Sequence, residues 1–268
     1  MAQQNTDTFA AILSAFHIGS LRLNEAELAA LRLSVAVVKY HTSDEVKSER
    51  ANYPKAVAQL DAIRPSSWDA FNYVSRLSHL VYATSLLDTF LTDTTQFLLM
   101  LFPSSIGKEF RISISDVIEK SSRSDILATA ASKKARELSY ATFLERLTDL
   151  SRRFGLTINL GDADLEALRH FSTLRNVAVH DQGFLAFSLT DNGAVHCEQR
   201  VCSRHPTAVT IEDVRAAIHT YRRVVREVAT AILRQVLKEP GHELANRMID
   251  SLPEGALAPL GDPEEAAR

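Results

Sequence analysis

Arg175, Asn176 and His180 are the residues whose types and spacing suit chemistry. On a helix advancing about 100° per residue, Leu165, Leu168, Phe171, Leu174, Ala178 and Val179 share one broad apolar sector, and Arg175 falls within it. A guanidinium on an apolar face needs a partner, because an uncompensated buried charge costs several kcal/mol or more. Arg175 is therefore either half of a structural ion pair or part of the wall of a cleft. Asn176 and His180 stand four residues apart on one edge of the same sector, within hydrogen-bonding reach. A histidine that titrates near neutrality can take or give a proton. A fixed arginine can stabilise developing negative charge.

The elements that must position these residues read as helices. Ala26 to Tyr40 carries apolar residues at helical spacing, and Asp44 to Ile63 is more polar and interrupted by Pro54. Pro65-Ser66-Ser67 opens a long helical stretch that runs toward Phe102 and stops at Pro103. Ser115 to Phe154 reads as two or three shorter helices, the last over Ser139 to Phe154 with Gly155 as its C-terminal cap. Asp162 or Asp164 starts the helix that carries the Arg175–His180 segment. Two short runs, Phe184 to Leu189 and Ala194 to Val201, flank Asn192-Gly193 and predict a hairpin. Thr210 to Asp213 caps a last long helix reaching about Lys238, and the chain beyond Ser251 reads as a disordered tail.

Arg-Asn-x-x-x-His near the end of a helix, in an all-α protein, resembles the R-x(4–6)-H motif of HEPN domains. Leu87-Asp88-Thr89-Phe90-Leu91 on the long helix is similar to the acidic-x-Phe-Leu pattern of one HEPN branch. The resemblance covers roughly Ser67 to Lys238. It implies an all-α, HEPN-like helical bundle with one small β-hairpin insertion. The corresponding division is an N-terminal helical extension over 1–64, a HEPN-like domain over 65–239, and a short helix and tail over 240–268. It further implies a homodimeric, metal-independent endoribonuclease without a cofactor. In that reading His180 moves the proton of a ribose 2′-OH or of the leaving 5′ oxygen, Arg175 stabilises the scissile phosphate, and Asn176 orients the imidazole or a phosphate oxygen. Asp88 is expected to pair with Arg175 and hold its guanidinium. The biological role implied is that of a toxin or antiviral-defence effector, with an antitoxin or defence-system protein as a further partner. The alternative is a non-catalytic helical dimerisation module, binding RNA or protein, that keeps the motif for structural reasons.

Other residues carry weaker signals. Arg222, Arg223, Arg226 and Arg234 form a basic stripe on the last helix, read as a solvated face pairing with Glu227 or as an RNA-facing surface. Lys133, Lys134 and Arg136 read as a solvated face, and Phe97 to Phe102 as core rather than interface. His196, Cys197, Cys202 and His205 lack the spacing of a usual zinc knuckle, and adjacent strand residues point to opposite faces, so no metal site is expected. The net charge of −3 argues against a global basic field for long duplexes and leaves room for a local basic groove. Two cysteines, no basic-then-apolar start and no apolar run long enough to span a bilayer predict a cytoplasmic protein away from the membrane.

Overall fold

The computed structural model describes residues 2–42, 54–107, 110, 111, 113, 115, 117, 122–180, 187–189, 195–197 and 209–238. Over these residues the protein is mainly helical. Helix α1 spans Ala2–Thr42 and α2 spans Pro54–Leu101. A short 3-10 turn, Pro103–Ile106, follows. Then come α3 (Arg123–Leu138), α4 (Phe143–Phe154), α5 (Asp162–His180) and α6 (Ile211–Ala231). Helix α6 continues as a π-helical stretch, Ile232–Leu237. Phe187–Leu189 (β1) and Val195–Cys197 (β2) pair antiparallel, with Ser188 opposite His196. The Asn192-Gly193 turn, Cys202, His205 and the tail over 240–268 lie outside the described residues.

Local sequence explains where these helices begin and end. Thr142 caps α4: its hydroxyl accepts from the Glu145 amide at 3.3 Å, and its own amide donates to the Glu145 carboxylate at 2.8 Å. Gly155 ends the helix in the left-handed region at φ 67°, a conformation glycine adopts without steric cost. Thr210 and Asp213 make the same reciprocal pair ahead of α6, at 3.1 and 2.8 Å. Ser122 caps α3 through the Asp125 amide. Helix α2 stops before Pro103 as expected, but it begins earlier than the sequence suggests. Pro54 opens it as the first helical residue, where the missing N–H costs nothing, and the helix runs on through Pro65.

The described chain divides into two compact units. The first comprises α1 up to Ser20, the chain from Ala83 to Ser172, and α6 from Ala217 onward. The buried residues of α1 here are Thr6, Phe9, Leu13, Phe16 and Ser20, at alternating spacings of three and four. The same alternation marks Thr84, Leu87, Leu91, Thr94 and Leu98 on α2. Such a pattern keeps one seam of each helix turned toward its neighbour. Phe9 stacks on Phe97 with ring centroids 5.5 Å apart, and Phe16 meets Phe90 edge-on at 5.7 Å, so the two helices run antiparallel. Gly19 permits the close approach, since a Cβ there would lie 2.4 Å from Cδ2 of Leu86.

Helix α6 is the hub of this unit. Val224, Val225, Val228, Ala229 and Ile232 are all fully buried. Tyr221 meets Phe143 of α4 and Phe171 of α5 edge-on, at 6.3 and 6.2 Å, and its hydroxyl lies 3.1 Å from that of Thr84 on α2. At its far end the Gln235 carboxamide accepts from the Thr157 amide at 3.0 Å and ties down the chain between α4 and α5.

The second unit comprises Leu21–Tyr82 and Thr173–Ala216. Its described core side chains are Leu23 of α1, Leu77 and Leu80 of α2, and Val209 and Val214 at the start of α6. Helix α2 passes unbroken through residues 64 and 65, where the sequence suggests a division.

Candidate functional site

Helix α5 carries the Arg175–His180 segment on its final turns. It opens with Asp162 and Asp164 in the first turn, where carboxylates complement the exposed amides. The amides of Asp164 and Leu165 donate to the Gly161 carbonyl at 3.0 and 3.1 Å. Leu168 and Phe171 point into the core at 0% and 4% exposure, as the apolar sector requires. Arg175, on that sector in the sequence, is half-buried, and Asn176 is exposed. Nη1 of Arg175 donates to Oδ1 of Asn176 at 3.1 Å. His180 is the last residue of the helix, and its side chain lies outside the described ones.

Asp88, the acidic residue expected to orient Arg175, is engaged by a different arginine. Arg146 of α4 donates from Nη1 to Oδ1 of Asp88. Its Nη2 donates to the Asp88 carbonyl at 3.0 Å and to the Thr92 hydroxyl at 2.8 Å. The Thr92 hydroxyl in turn donates to the same carbonyl at 2.8 Å. The Arg146 side chain is only 3% exposed and that of Asp88 is 51% exposed, so the pair sits at the margin of the core with the cation inside. Burial works against the Arg146 charge, and the Asp88 carboxylate holds it. The guanidinium also lies 6.0 Å from the Phe143 ring centre.

Sequence reasoning passed over Arg146, yet the signal was present. Phe143, Leu147, Leu150 and Phe154 make one apolar face of α4, and Arg146 borders that face beside Leu150. Arg175 stands inside its sector and Arg146 at the border of its own, and either position asks for a partner once the helix is packed.

The basic stripe on α6 separates into unlike residues. Arg222 is buried at 9% exposure, and burial disfavours its charged form. It belongs to the helix packing rather than to a solvated face. His17 of α1 is held below its ordinary titration range by burial and by the Arg222 charge. Arg223 pairs with Asp164 of α5 at 2.6 Å, a close contact not aligned as a hydrogen bond at the carboxylate oxygen. Arg226 is partly buried, and Arg234 is exposed. On α3, Lys134 is not solvated as expected. It pairs with Glu137 at 2.8 Å and lies over the Phe110 ring, while Lys133 and Arg136 are exposed. Phe97, Leu98 and Leu99 are core, whereas Met100 and Phe102 are 41% and 40% exposed.

Among the described residues, no group of His, Cys, Asp or Glu is arranged to hold a metal ion, and no helix is long and apolar enough to cross a membrane. Compared with family models, curated proteins and solved structures, the chain matches none.

Proposed function

We propose that the protein is a metal-independent endoribonuclease of HEPN type, built on a HEPN-like bundle with a hairpin after the motif helix and acting as a homodimer. The observation that carries the reading is the placement of its polar motif. Arg175 and Asn176 lie hydrogen-bonded on the last turns of α5, neither of them buried in the core, and His180 closes the same helix. Arg175 donates one hydrogen bond to Asn176, and a guanidinium presents further N–H groups in a planar fork suited to a phosphate oxygen. The C-terminal end of a helix in general favours the cationic form of a histidine placed there, which is the form a general acid needs to protonate a leaving 5′ oxygen. The same helix end repels phosphate, and two arginines facing each other in a dimer would offset that repulsion. Attack by the 2′-OH on the neighbouring phosphorus, its proton passing to a neutral imidazole of the dimer or to water, expels the 5′ oxygen, which takes a proton from the imidazolium, and leaves a 2′,3′-cyclic phosphate and a 5′-hydroxyl. No cofactor enters this scheme. The role that follows is that of a toxin or antiviral-defence effector with a controlling partner protein.

One observation favours a second reading, a non-catalytic module that binds RNA or protein. Asp88, the acidic residue of the resemblance, is occupied by Arg146 and so serves the packing of α4 on α2. Purified protein incubated with total RNA, with and without EDTA and beside a His180→Ala variant, separates the two. Cleavage that persists in EDTA, ends in cyclic phosphate and disappears in His180→Ala supports the nuclease. Equal cleavage by wild type and variant removes it, and RNA retention without cleavage supports the binding module.

A further inference from the structure

We propose that the exposed face of α1 from Asp7 to Arg22 pairs antiparallel with the same face of a second copy of the chain. On a helix advancing about 100° per residue, Asp7, Ala11, Ala15, Ile18 and Arg22 fall within about 40° of one line. All five are exposed, and Ile18 is exposed to 46%. Leu21, 41% exposed, flanks them. The opposite side of the helix carries Phe9 and Phe16, which meet Phe97 and Phe90 of α2. Scattered apolar residues at a surface are ordinary. The order of residues along this face is what singles it out.

The face has a midpoint between Ser14 and Ala15. Ala11 and Ile18 stand equally far from that point on either side, and so do Asp7 and Arg22, and Gln4 and Glu25. A copy of the helix run in the opposite direction about that point sets each Ile18 against the other chain's Ala11. Each Arg22 then faces an Asp7, and each Glu25 faces a Gln4. The small side chains of Ala11, Ser14 and Ala15 let the two backbones approach, and each Ile18 fills the space over an alanine. Opposite charges meet at both ends, and no like charges oppose each other. Asp7 and Arg22 of one chain are about 22 Å apart along the helix, so each can meet the other only between chains. A two-fold interface demands this self-complementarity, because one patch serves both chains. A parallel copy would set Asp7 against Asp7 and Arg22 against Arg22.

The surface lies outside the HEPN resemblance and stands whether or not Arg175 and His180 cut RNA. Sedimentation equilibrium of the full-length chain reads it, with circular dichroism to confirm that each variant is folded. Wild type is expected to dimerise at micromolar concentration. Ile18→Glu is expected to weaken the dimer by about tenfold or more, because it puts two carboxylates into the seam. Should Ile18→Glu melt early, Ala15→Glu carries the same comparison at an exposed residue with little packing to lose. Met100→Glu, the same change at a comparably exposed residue of α2, is the control and is expected to leave the dimer unchanged. Asp7→Arg and Arg22→Asp should each weaken self-association by about tenfold, and an equimolar mixture of the two should recover it to within about threefold of wild type. A wild type that stays monomeric overturns the pairing. So does a dimer that the α1 glutamate variants leave intact or that Met100→Glu breaks equally, and so does a mixture of the two reversals that stays apart. A dimer that survives the α1 variants while RNA is cleaved refutes this surface and leaves the composite nuclease site standing. A dimer that depends on α1, with no cleavage by wild type, supports the pairing and counts against the nuclease.

Discussion

Arg175 falls within the apolar sector of its helix and Arg146 borders that of its own, and they end in different surroundings. Arg146 is almost fully enclosed and engages Asp88 twice and Thr92 once. Arg175 is half-buried and engages its neighbour Asn176. Removing one partner of a buried pair strands the other, whereas a half-exposed group is rehydrated. Arg146→Ala is therefore expected to cost about 3 kcal/mol, toward the low end for a buried pair because the Asp88 side chain is half-exposed. Arg175→Ala is expected to cost less than about 1 kcal/mol and to abolish RNA cleavage. Thermal melts and cleavage assays on both variants check the ordering, and an Arg175→Ala protein that melts as early as Arg146→Ala would contradict it. His17 supplies a pH effect. Burial first, and the Arg222 charge second, hold its folded pKa below the ordinary histidine value of 6.5. Between those two values the unfolded chain binds the proton and the folded chain does not, so stability falls as pH drops below 6.5. Denaturant titrations of His17→Leu should show a flatter acid limb than wild type, and an unchanged slope would remove His17 as the cause.

At the scale of elements, the antiparallel contact of α1 with α2 depends on one small residue. A Cβ at Gly19 meets the end of the Leu86 side chain, which can rotate away. Gly19→Ala should be mild for that reason, whereas Gly19→Leu has nowhere to place its bulk and should cost about 1–3 kcal/mol by overpacking. Chemical denaturation of the two variants reads the difference. Helix α4 depends instead on its cap. Thr142→Ala removes the hydroxyl that accepts from the Glu145 amide and is expected to cost about 1 kcal/mol. The Thr142 backbone amide, and after it the Thr142 hydroxyl, hold Glu145 below the usual carboxylate range. The Glu145 share of the cap is therefore present above the ordinary carboxylate pKa and is lost as pH falls through the depressed one. The gap between the urea midpoints of wild type and Thr142→Ala should narrow in acid, by the part that comes from the Thr142 hydroxyl donating to the Glu145 carboxylate. A gap that stays constant down to low pH would show that the charge of Glu145 plays no part.

At the scale of the whole molecule, the proposed chemistry asks more than one chain offers. One copy carries one Arg175 and one His180, so a site needing two arginines requires a second copy. Light scattering at micromolar concentration is expected to report a dimer. A strict monomer that cleaves RNA would contradict the composite site and leave a single-chain arrangement to be found. The two compact units matter at this scale too. The division between the units falls within four helices, α1, α2, α5 and α6.

Local chemistry made much of this legible in advance. Helical periodicity announced an all-α chain, Gly155 and Pro103 marked helix ends, and Asp162 and Thr210 marked starts, because caps and breakers act on their own few neighbours. That Asn176 and His180 stand one above the other on α5 follows from the four-residue spacing once both lie on one helix, as they do. Partnership is another matter. Asp88 could reach any arginine that the fold brings to it, and only the docking of α4 on α2 selects Arg146. Whether a stripe faces water is decided in the same way: Arg222 looks like a solvated arginine in the sequence and is buried because the packed sector of α6 is broad enough to include it, while Arg223 stays on the exposed face. The early start of α2 and the membership of residues 21–82 in the motif's unit depend on contacts between segments far apart in the chain. Periodicity within a segment carries the direction of its own faces. It carries no information about which distant face will meet them.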